Sequence, residues 1–293
     1  MRINNLSGKK NRKQETLRLM AILSHPDDES MGTGGILAKY AAEGVETYLV
    51  TATRGERGWF GDDSTYPGAV ELGRTREAEL NAAAEVLGLK QVSFLGYLDG
   101  ELDRADPAEV IPRLSFHIRK IRPQVVVTFD PFGYYGHPDH IAISQFTTAA
   151  VVAAGGPDPN GMQLYPSHMV SKLFYLASNT VEQDAFQAAF GELVMDIDGI
   201  QRHAVPWPDW AITTQIDTSA HWQQVWQAIA CHRSQLPGYQ SLLDLPETYH
   251  RRLWGSQTLY RAFSMVNNGR TTEDDLFAGI RKSEVRYVTA SHK

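Results

Sequence analysis

The chain contains one cysteine and no long apolar run among its 293 residues. Because Cys231 is alone, an internal disulfide is excluded. No stretch approaches the roughly 20 apolar residues that a membrane helix needs. The first residues are basic, but Arg18 interrupts the apolar run that follows them, which argues against a secretory signal. We therefore expect a cytoplasmic protein without a membrane span, with a basic N-terminal tail over residues 1–16.

An excess of positive charge is also absent, since the formal net charge is -6. This balance gives no reason to expect a nucleic-acid surface. The hydrophobic fraction of 42% and the length of 293 residues suit a folded protein with a sizeable core. We predict a single domain over residues 17–293, in which residues 181–293 form a C-terminal extension.

Strand patterns alternate with helix patterns through the first 180 residues or so. Strands are predicted over residues 17–23, 45–53, 91–95, 125–129 and 172–177, and helices over residues 32–43, 70–87, 107–119 and 140–154. This order predicts an α/β fold, a Rossmann-like open and mostly parallel sheet with helices on both faces. In the common strand order 3-2-1-4-5, the first and fourth strands are neighbours. The extension is harder to interpret, with a strand predicted at 192–198 and helices at 217–231 and 247–254.

The tripeptide His-Pro-Asp occurs twice, each time between a predicted strand and a predicted helix. The first copy begins at His25 and continues with Asp28 and Glu29, and the second runs from His137 to His140. Open α/β sheets bind ligands at the carboxyl ends of neighbouring strands. We therefore expect both clusters to lie in one crevice.

Imidazole and carboxylate groups are the ligands of catalytic zinc sites, which keep three protein ligands and one open position. His25, Asp28, His137 and His140 are four candidates for three places, and the spacing does not choose among them. Asp27 is an additional carboxylate that could serve as a general base. Helix capping would explain the carboxylates and prolines. It would not explain the histidines, because a helix N-terminus disfavours a charged imidazole.

The two clusters and their surroundings resemble the LmbE-like, or PIG-L, family of zinc-dependent de-N-acetylases. The resemblance rests on Ala21–Glu29, on Gly34–Leu37 and on Gly133–His140. Weaker matches are Thr51–Glu56, Arg76–Glu79, Leu95–Asp99 and the segment His232–Gln235. The resemblance as a whole spans residues 18 to 235 in register.

The resemblance implies one Zn²⁺ per chain, held by His25, Asp28 and His140. It implies that Asp27 is the general base for the metal-bound water, and that His137 stabilises the oxyanion or protonates the amine. The implied reaction removes an acetyl or other acyl group from the amide nitrogen of an N-acetylglucosamine-type sugar conjugate.

Four further positions match the family pattern. Arg76, Asp99 and Tyr135 are expected to contact substrate, and Glu29 is expected to support the metal ligands. Three of these four residues have a structural alternative. Arg76 could form an ion pair with a nearby glutamate, Tyr135 could be a loop aromatic that covers the end of the sheet, and Glu29 could be a helix cap.

Other function classes remain open on the sequence. One is a metal hydrolase acting on a non-sugar amide or another bond, and another is a non-catalytic metal- or sugar-binding module. A dinucleotide-binding oxidoreductase is disfavoured, because Leu37 replaces the last glycine of the G-x-G-x-x-G pattern. A serine hydrolase lacks its G-x-S-x-G motif.

The partner expected is a small-molecule sugar conjugate, with neither nucleic acid nor membrane involved. The aromatic side chains Trp59, Phe60, Tyr66, Trp207 and Trp210 could form a rim around a sugar or simply cover the edges of the core. By resemblance the chain is also expected to be able to form homo-oligomers.

Overall fold

The computed structural model describes residues 16–157, 164–192, 194–197, 199–267, 269 and 271–281. The predicted tail therefore falls, except for Thr16, outside the described residues. The strands are β1 (Arg18–Leu23), β2 (Glu46–Thr51), β3 (Gln91–Phe94), β4 (Val125–Thr128), β5 (Lys172–Leu176), β6 (Val194–Ile197), β7 (Ile200–His203), β8 (Thr214–Asp217) and β9 (Ser256–Ser264). The helices are α1 (Asp28–Ala42), α2 (Ala69–Leu87), α3 (Pro107–Ile121), α4 (Gly133–Gly136), α5 (Pro138–Gly155), α6 (Thr180–Phe190), α7 (Trp222–Ile229), α8 (Gln240–Leu243) and α9 (Glu247–Trp254).

Seven strands form one sheet in the order β3-β2-β1-β4-β5-β9-β8. The first five are parallel, in the predicted order 3-2-1-4-5, and β9 and β8 continue the sheet with antiparallel pairings. The order of connection across the sheet reverses at β1, so right-handed crossovers place the helices on both faces. The predicted α/β fold is confirmed.

The central strands are apolar along their whole length because both faces are covered. Residues 19–23 of β1 and the valines of β4 are at most 1% exposed. Uniform burial of this kind is typical of parallel strands between two helical layers. It explains why these strands appear in the sequence as short continuous apolar runs.

The extension differs most from the sequence-based expectation. The predicted helix 217–231 begins too early, since Asp217 ends β8 and α7 starts at Trp222. Strand β6 and helix α9 were predicted, whereas α6 and strands β7, β8 and β9 were not. Helices α6, α7 and α9 share a second apolar cluster that includes Trp222, Leu253 and Trp254. Within the described ranges, no helix is long and apolar enough to cross a membrane.

Candidate metal centre

Both His-Pro-Asp segments lie at the carboxyl edge of the sheet, on two neighbouring strands. The first follows β1 and enters α1 at Asp28, and the second follows β4 and enters α5 at Pro138. Because β1 and β4 pair directly and in parallel, their carboxyl ends lie side by side. The structure therefore brings the two clusters together as predicted.

Three side chains converge on one point between these segments. His25 Nδ1 lies 3.2 Å from His140 Nε2, which lies 3.4 Å from Asp28 Oδ1. The other carboxylate oxygen, Asp28 Oδ2, is 3.7 Å from His25 Nδ1. Ligand atoms about 2.0–2.2 Å from a tetrahedral ion lie roughly 3.4 Å apart, so this spacing fits a zinc-sized cation.

A second group of potential ligands, His25, His137 and Asp139, also lies close together. It uses the opposite nitrogen of His25, which is 3.1 Å from Asp139 Oδ2. The Asp139 carboxylate already accepts the backbone N–H groups of Gly100 and Leu102, at 2.7 and 3.0 Å. His137 Nδ1 accepts the N–H of Asp139.

Asp28 in the first group is hydrogen-bonded as well, since its Oδ2 accepts the N–H groups of Ser24 and His25 at 3.1 and 2.7 Å, but its Oδ1 faces His140. We assign the possible metal site to His25, Asp28 and His140, the set that the resemblance implies.

Carboxylates hold the far side of the His25 ring. Besides Asp139, Asp99 places Oδ1 at 3.1 Å from His25 Nε2. Burial alone would lower the pKa of His25, but these hydrogen bonds and the charge of Asp28 raise it well above 6.5. Carboxylates behind a histidine fix its tautomer and orient the ring, as is common in metal sites.

The third member of the triad is fixed by packing. The His140 ring stacks on Phe129, with centroids 3.8 Å apart and planes 9° from parallel. Although burial opposes ionisation of Asp28, His140 and His25 lower the pKa of this carboxyl. Asp28 is therefore ionised, which is the state in which a carboxylate can bind a metal.

Asp27 occupies a strained position at the start of α1. Its φ of 104° lies in the left-handed region, and its side chain makes no helix-capping hydrogen bond. The carboxylate oxygen Oδ2 instead accepts from Tyr239 at 2.8 Å and pairs with Arg76 at 3.2 Å. The capping explanation therefore does not account for Asp27, and strain of this kind concentrates at functional sites. Burial raises the pKa of Asp27, against the opposing charge of Arg76.

Arg76 is buried and forms hydrogen bonds with the first His-Pro-Asp segment. Its guanidinium donates to the carbonyl oxygens of Gly55, at 2.9 Å, and Pro26, at 2.5 Å, in addition to Asp27. The expected alternative, a pairing with a nearby glutamate, is not what is observed. Glycine suits position 55, because its φ of +68° disfavours a side chain and a β-carbon there would lie 2.1 Å from the guanidinium.

A buried ion pair supports the backbone of Asp27. Glu29 Oε2 accepts the N–H of Asp27 at 3.0 Å, and Glu29 Oε1 lies 2.7 Å from His232 Nε2. Both side chains of the pair are fully enclosed. Glu29 thus sits behind Asp27 rather than acting as a simple cap.

His137 is the N-cap of α5, which corrects the expectation that capping would not explain the histidines. A neutral imidazole can accept, and Nδ1 accepts the N–H of Asp139 at 3.1 Å. Burial, together with the charges of His25 and His140, lowers the pKa of His137 to about 3. The ring is therefore neutral, with its proton on Nε2, and lies 4.7 Å from the His25 ring.

A cavity of about 470 Å³ opens beside Asp27, Asp28 and His140. Tyr135 lines it, with its ring 5.3 Å from that of His140. Of the five aromatics expected to form a rim, Phe60 lines the cavity. Trp59 packs on Tyr66, Trp207 donates to Asp130, and Trp210 is 75% exposed.

Sequence reasoning missed Tyr239 and Asp139 as parts of this site. Tyr239 lies more than 200 residues after Asp27, and no local pattern marks it. Asp139 had a signal, since it is the aspartate of the second His-Pro-Asp motif, but its role depends on the loop around Gly100.

Comparisons with known proteins identify related sequences and a related fold. A family model for GlcNAc-PI de-N-acetylases, PIG-L, matches residues 20–151. A 1D-myo-inositol 2-acetamido-2-deoxy-alpha-D-glucopyranoside deacetylase from Mycobacteroides abscessus is 34% identical, covering 90% of this chain and 99% of its own. A mycothiol S-conjugate amidase from Streptomyces coelicolor is 29% identical, covering 91% and 98%. A conserved protein from Thermus thermophilus has a similar structure, with TM-score 0.60 and 25% identity, covering 86% of this chain and 98% of that one.

Proposed function

Because this chain belongs to the family of GlcNAc-PI de-N-acetylases, we propose that it is a zinc-dependent amide hydrolase acting on an N-acylated glucosamine conjugate. Its relatives are named as deacetylases and amidases, enzymes that hydrolyse C–N amide bonds. The products are the free amine of the sugar and a carboxylate, acetate in the simplest case.

His25, Asp28 and His140 would hold the metal. Two imidazoles and one carboxylate, with room for a fourth ligand, are a donor set that suits zinc. When bound, the ion supplies Lewis-acid polarisation of the amide carbonyl and lowers the pKa of a water molecule.

Asp27 is proposed as the general base. Its carboxylate lies next to Asp28 in the chain, lines the cavity and is held by Tyr239 and Arg76. A raised pKa brings a carboxylate closer to the range in which it both takes and returns a proton. Asp27 takes the proton of the attacking water, and this proton then passes to the leaving nitrogen.

His137 is proposed to stabilise the oxyanion. A neutral ring whose Nδ1 accepts from the backbone presents Nε2–H as a donor. Such a preorganised donor needs no reorganisation as negative charge develops on the carbonyl oxygen. Tyr135, on the cavity wall, is proposed to contact the same group. Arg76 and Asp99 are buried and bind the first His-Pro-Asp segment, so we propose that they position it rather than contact the sugar.

The observation that carries the proposal is the adjacency of Asp27 to the triad. A metal site alone would also suit a non-catalytic binding module. Burying a carboxylate and holding its backbone in a strained conformation lowers the stability of the fold. Such strain is found mainly at functional sites, so a catalytic role of Asp27 explains it.

The test is the isosteric variant Asp27→Asn. We expect it to retain zinc and to lose activity by ~10²–10⁴-fold on an N-acetylglucosamine conjugate, because the base is gone. Zinc content and amine release are measured on the same preparation. Asp63→Asn, which changes an exposed acid, is the matched control. Near-normal turnover of Asp27→Asn would remove Asp27 from this role.

A further inference from the structure

A tight turn between β4 and α5 carries Tyr135 to the metal centre. Three residues of this turn have a positive φ: Gly133 at 67°, Tyr134 at 66° and Gly136 at 84°. Tyr134 lacks the conformational freedom of glycine, and its φ and ψ of 66° and -70° are those of the rare, strained form of the γ-turn. Backbone strain of this kind persists only where the surrounding structure holds it, and it is found mainly at functional sites.

The strained turn directs two neighbouring tyrosine rings to different places. The ring of Tyr134 packs edge-to-face on Phe186, with centroids 6.2 Å apart, whereas the ring of Tyr135 lies 5.3 Å from that of His140. Within the described part of the chain, the Tyr135 hydroxyl has no hydrogen-bond partner. The direction of its ring is therefore set by the backbone of the turn and by ring contacts with His140 and His137.

The carboxylate of Asp130 holds the turn from inside. Asp130 lies two residues after the end of β4 and is 3% exposed. Its Oδ1 accepts the N–H of Tyr134 at 2.7 Å, and its backbone carbonyl accepts the N–H of Gly133 at 3.0 Å. The turn thus folds around one buried acceptor, which binds the strained residue directly.

The second carboxylate oxygen of Asp130 links the turn to the C-terminal extension. Oδ2 accepts the indole N–H of Trp207 at 2.7 Å. The backbone N–H of Trp207 donates to the carbonyl of Ser178 at 2.8 Å, and the Ser178 hydroxyl donates to the Tyr134 hydroxyl at 3.1 Å. These bonds form a closed ring from Asp130 through Trp207, Ser178 and Tyr134 back to Asp130. The extension therefore braces the turn that carries Tyr135.

We propose that Asp130 is a positioning residue for the reaction, which acts through the turn to hold Tyr135 on the cavity wall beside His140 and His137. The inference rests on the proposed function, in which Tyr135 contacts the oxyanion. Without the carboxylate, Tyr134 relaxes to an unstrained conformation and the residue after it turns away from the metal centre. A misplacement of about 1 Å at a reacting group can lower the rate by about 10²-fold.

The test is a double-mutant cycle on the zinc-loaded full chain with an N-acetylglucosamine conjugate. Tyr135→Phe should lower kcat by ~10²-fold, because one donor to the oxyanion is lost. Asp130→Asn should lower kcat by roughly 10-fold to 10²-fold, because an asparagine cannot accept on both sides and the turn loses its form. In the Tyr135→Phe background, Asp130→Asn should lower kcat by less than about twofold, since the group through which Asp130 acts is already gone.

Trp207→Phe provides a second variant, which removes the donor to Asp130 Oδ2 and leaves the carboxylate in place. It should lower kcat in the same direction and should also lose its effect in the Tyr135→Phe background. If Asp130→Asn does not fold, Trp207→Phe carries the same cycle. Trp210→Phe, which changes a tryptophan of the same segment that is 75% exposed, is the matched control.

A second readout does not depend on turnover. The amino acid 3-fluorotyrosine is placed at position 135, and its fluorine NMR signal is recorded on the metal-free full chain. In Asp130→Asn and in Trp207→Phe we expect this signal to move towards that of the urea-unfolded protein, because the ring leaves its place beside His140. In Trp210→Phe the signal should stay where it is in the wild type.

Equal losses of kcat from Asp130→Asn in the two backgrounds, with an unmoved fluorine signal, would overturn this inference and leave the proposed function standing. Absence of amine release from the zinc-loaded wild type would instead overturn the proposed function. The fluorine signal would then still decide whether Asp130 holds Tyr135 in place.

Discussion

Replacing Asp139 with asparagine tests whether the carboxylate behind His25 supports the metal site. The side chain is completely enclosed and accepts the N–H groups of Gly100 and Leu102 on its two different oxygens. An asparagine has one acceptor oxygen, so its amide nitrogen must face at least one of these donors. A buried unpaired polar group costs about 1–3 kcal/mol. We expect Asp139→Asn to lower the free energy of unfolding of the metal-free protein by at least about that amount.

The same change should weaken zinc binding. His25 would lose one of the carboxylates that orient its ring, and loss of such a partner costs about 10–100-fold in metal affinity. Urea unfolding of the metal-free protein and zinc competition against a chromogenic chelator measure the two effects. Asp103→Asn changes an exposed aspartate close to Leu102 and is the control. If Asp139→Asn matched this control in both assays, the reasoning about the carboxylate behind His25 would be refuted.

Two further predictions concern protons at the site. Burial lowers the pKa of His25, but the carboxylates of Asp139, Asp99 and Asp28 outweigh burial and raise this pKa well above 6.5. Protonated His25 therefore stabilises the metal-free fold below about pH 6.5, and this stabilisation is lost as the pH rises through the folded pKa. Because zinc must displace that proton, the rise in Tm on adding zinc should grow between about pH 6 and about pH 8.5, and a rise that shrinks would contradict the ligand assignment. Tyr239→Phe removes a donor 2.8 Å from Asp27, so the pKa of Asp27 should rise and the acid limb of kcat should move up by about one to two pH units. The zinc content of Tyr239→Phe should not change. Tyr249→Phe, which changes an exposed tyrosine, is the control. An acid limb that does not move in Tyr239→Phe would exclude this role for Tyr239.

The parallel half of the fold is predictable because its signals are local. The apolar runs of β1 and β4 are buried on both faces, and Asp106 with Pro107 marks the start of α3 as expected. The strand order 3-2-1-4-5 is the common one for such folds, and right-handed crossovers then place the helices on both faces. The meeting of the two His-Pro-Asp segments is a consequence of that topology.

The antiparallel edge could not be predicted in the same way. Strand β9 mixes buried and partly exposed positions and pairs with β5 and β8 over long distances in the chain. Its register depends on tertiary partners such as Thr214, which pairs with Leu259. Strand propensity carries little information about such pairings, because it largely measures the surroundings of a strand.

Within the site, the choice between His137 and His140 as a metal ligand comes from family resemblance, and both histidines lie close to His25 in the structure. His140 Nε2 faces His25 and Asp28, while His137 uses Nδ1 to cap α5. Spacing in the sequence does not separate the two histidines, so only the fold distinguishes them. A partner of Asp27 also comes from a distant segment, which is why no motif revealed Tyr239.

The most direct test of the account is to measure bound metal and amine release together on the wild-type protein. The protein is stripped with a chelator, reconstituted with zinc and assayed on an N-acylated glucosamine conjugate before and after each step. We predict one zinc per chain, no amine release from the stripped protein, and recovery on reconstitution. Failure of the reconstituted protein to bind zinc would contradict the central claim, as would amine release that persists after the metal has been removed.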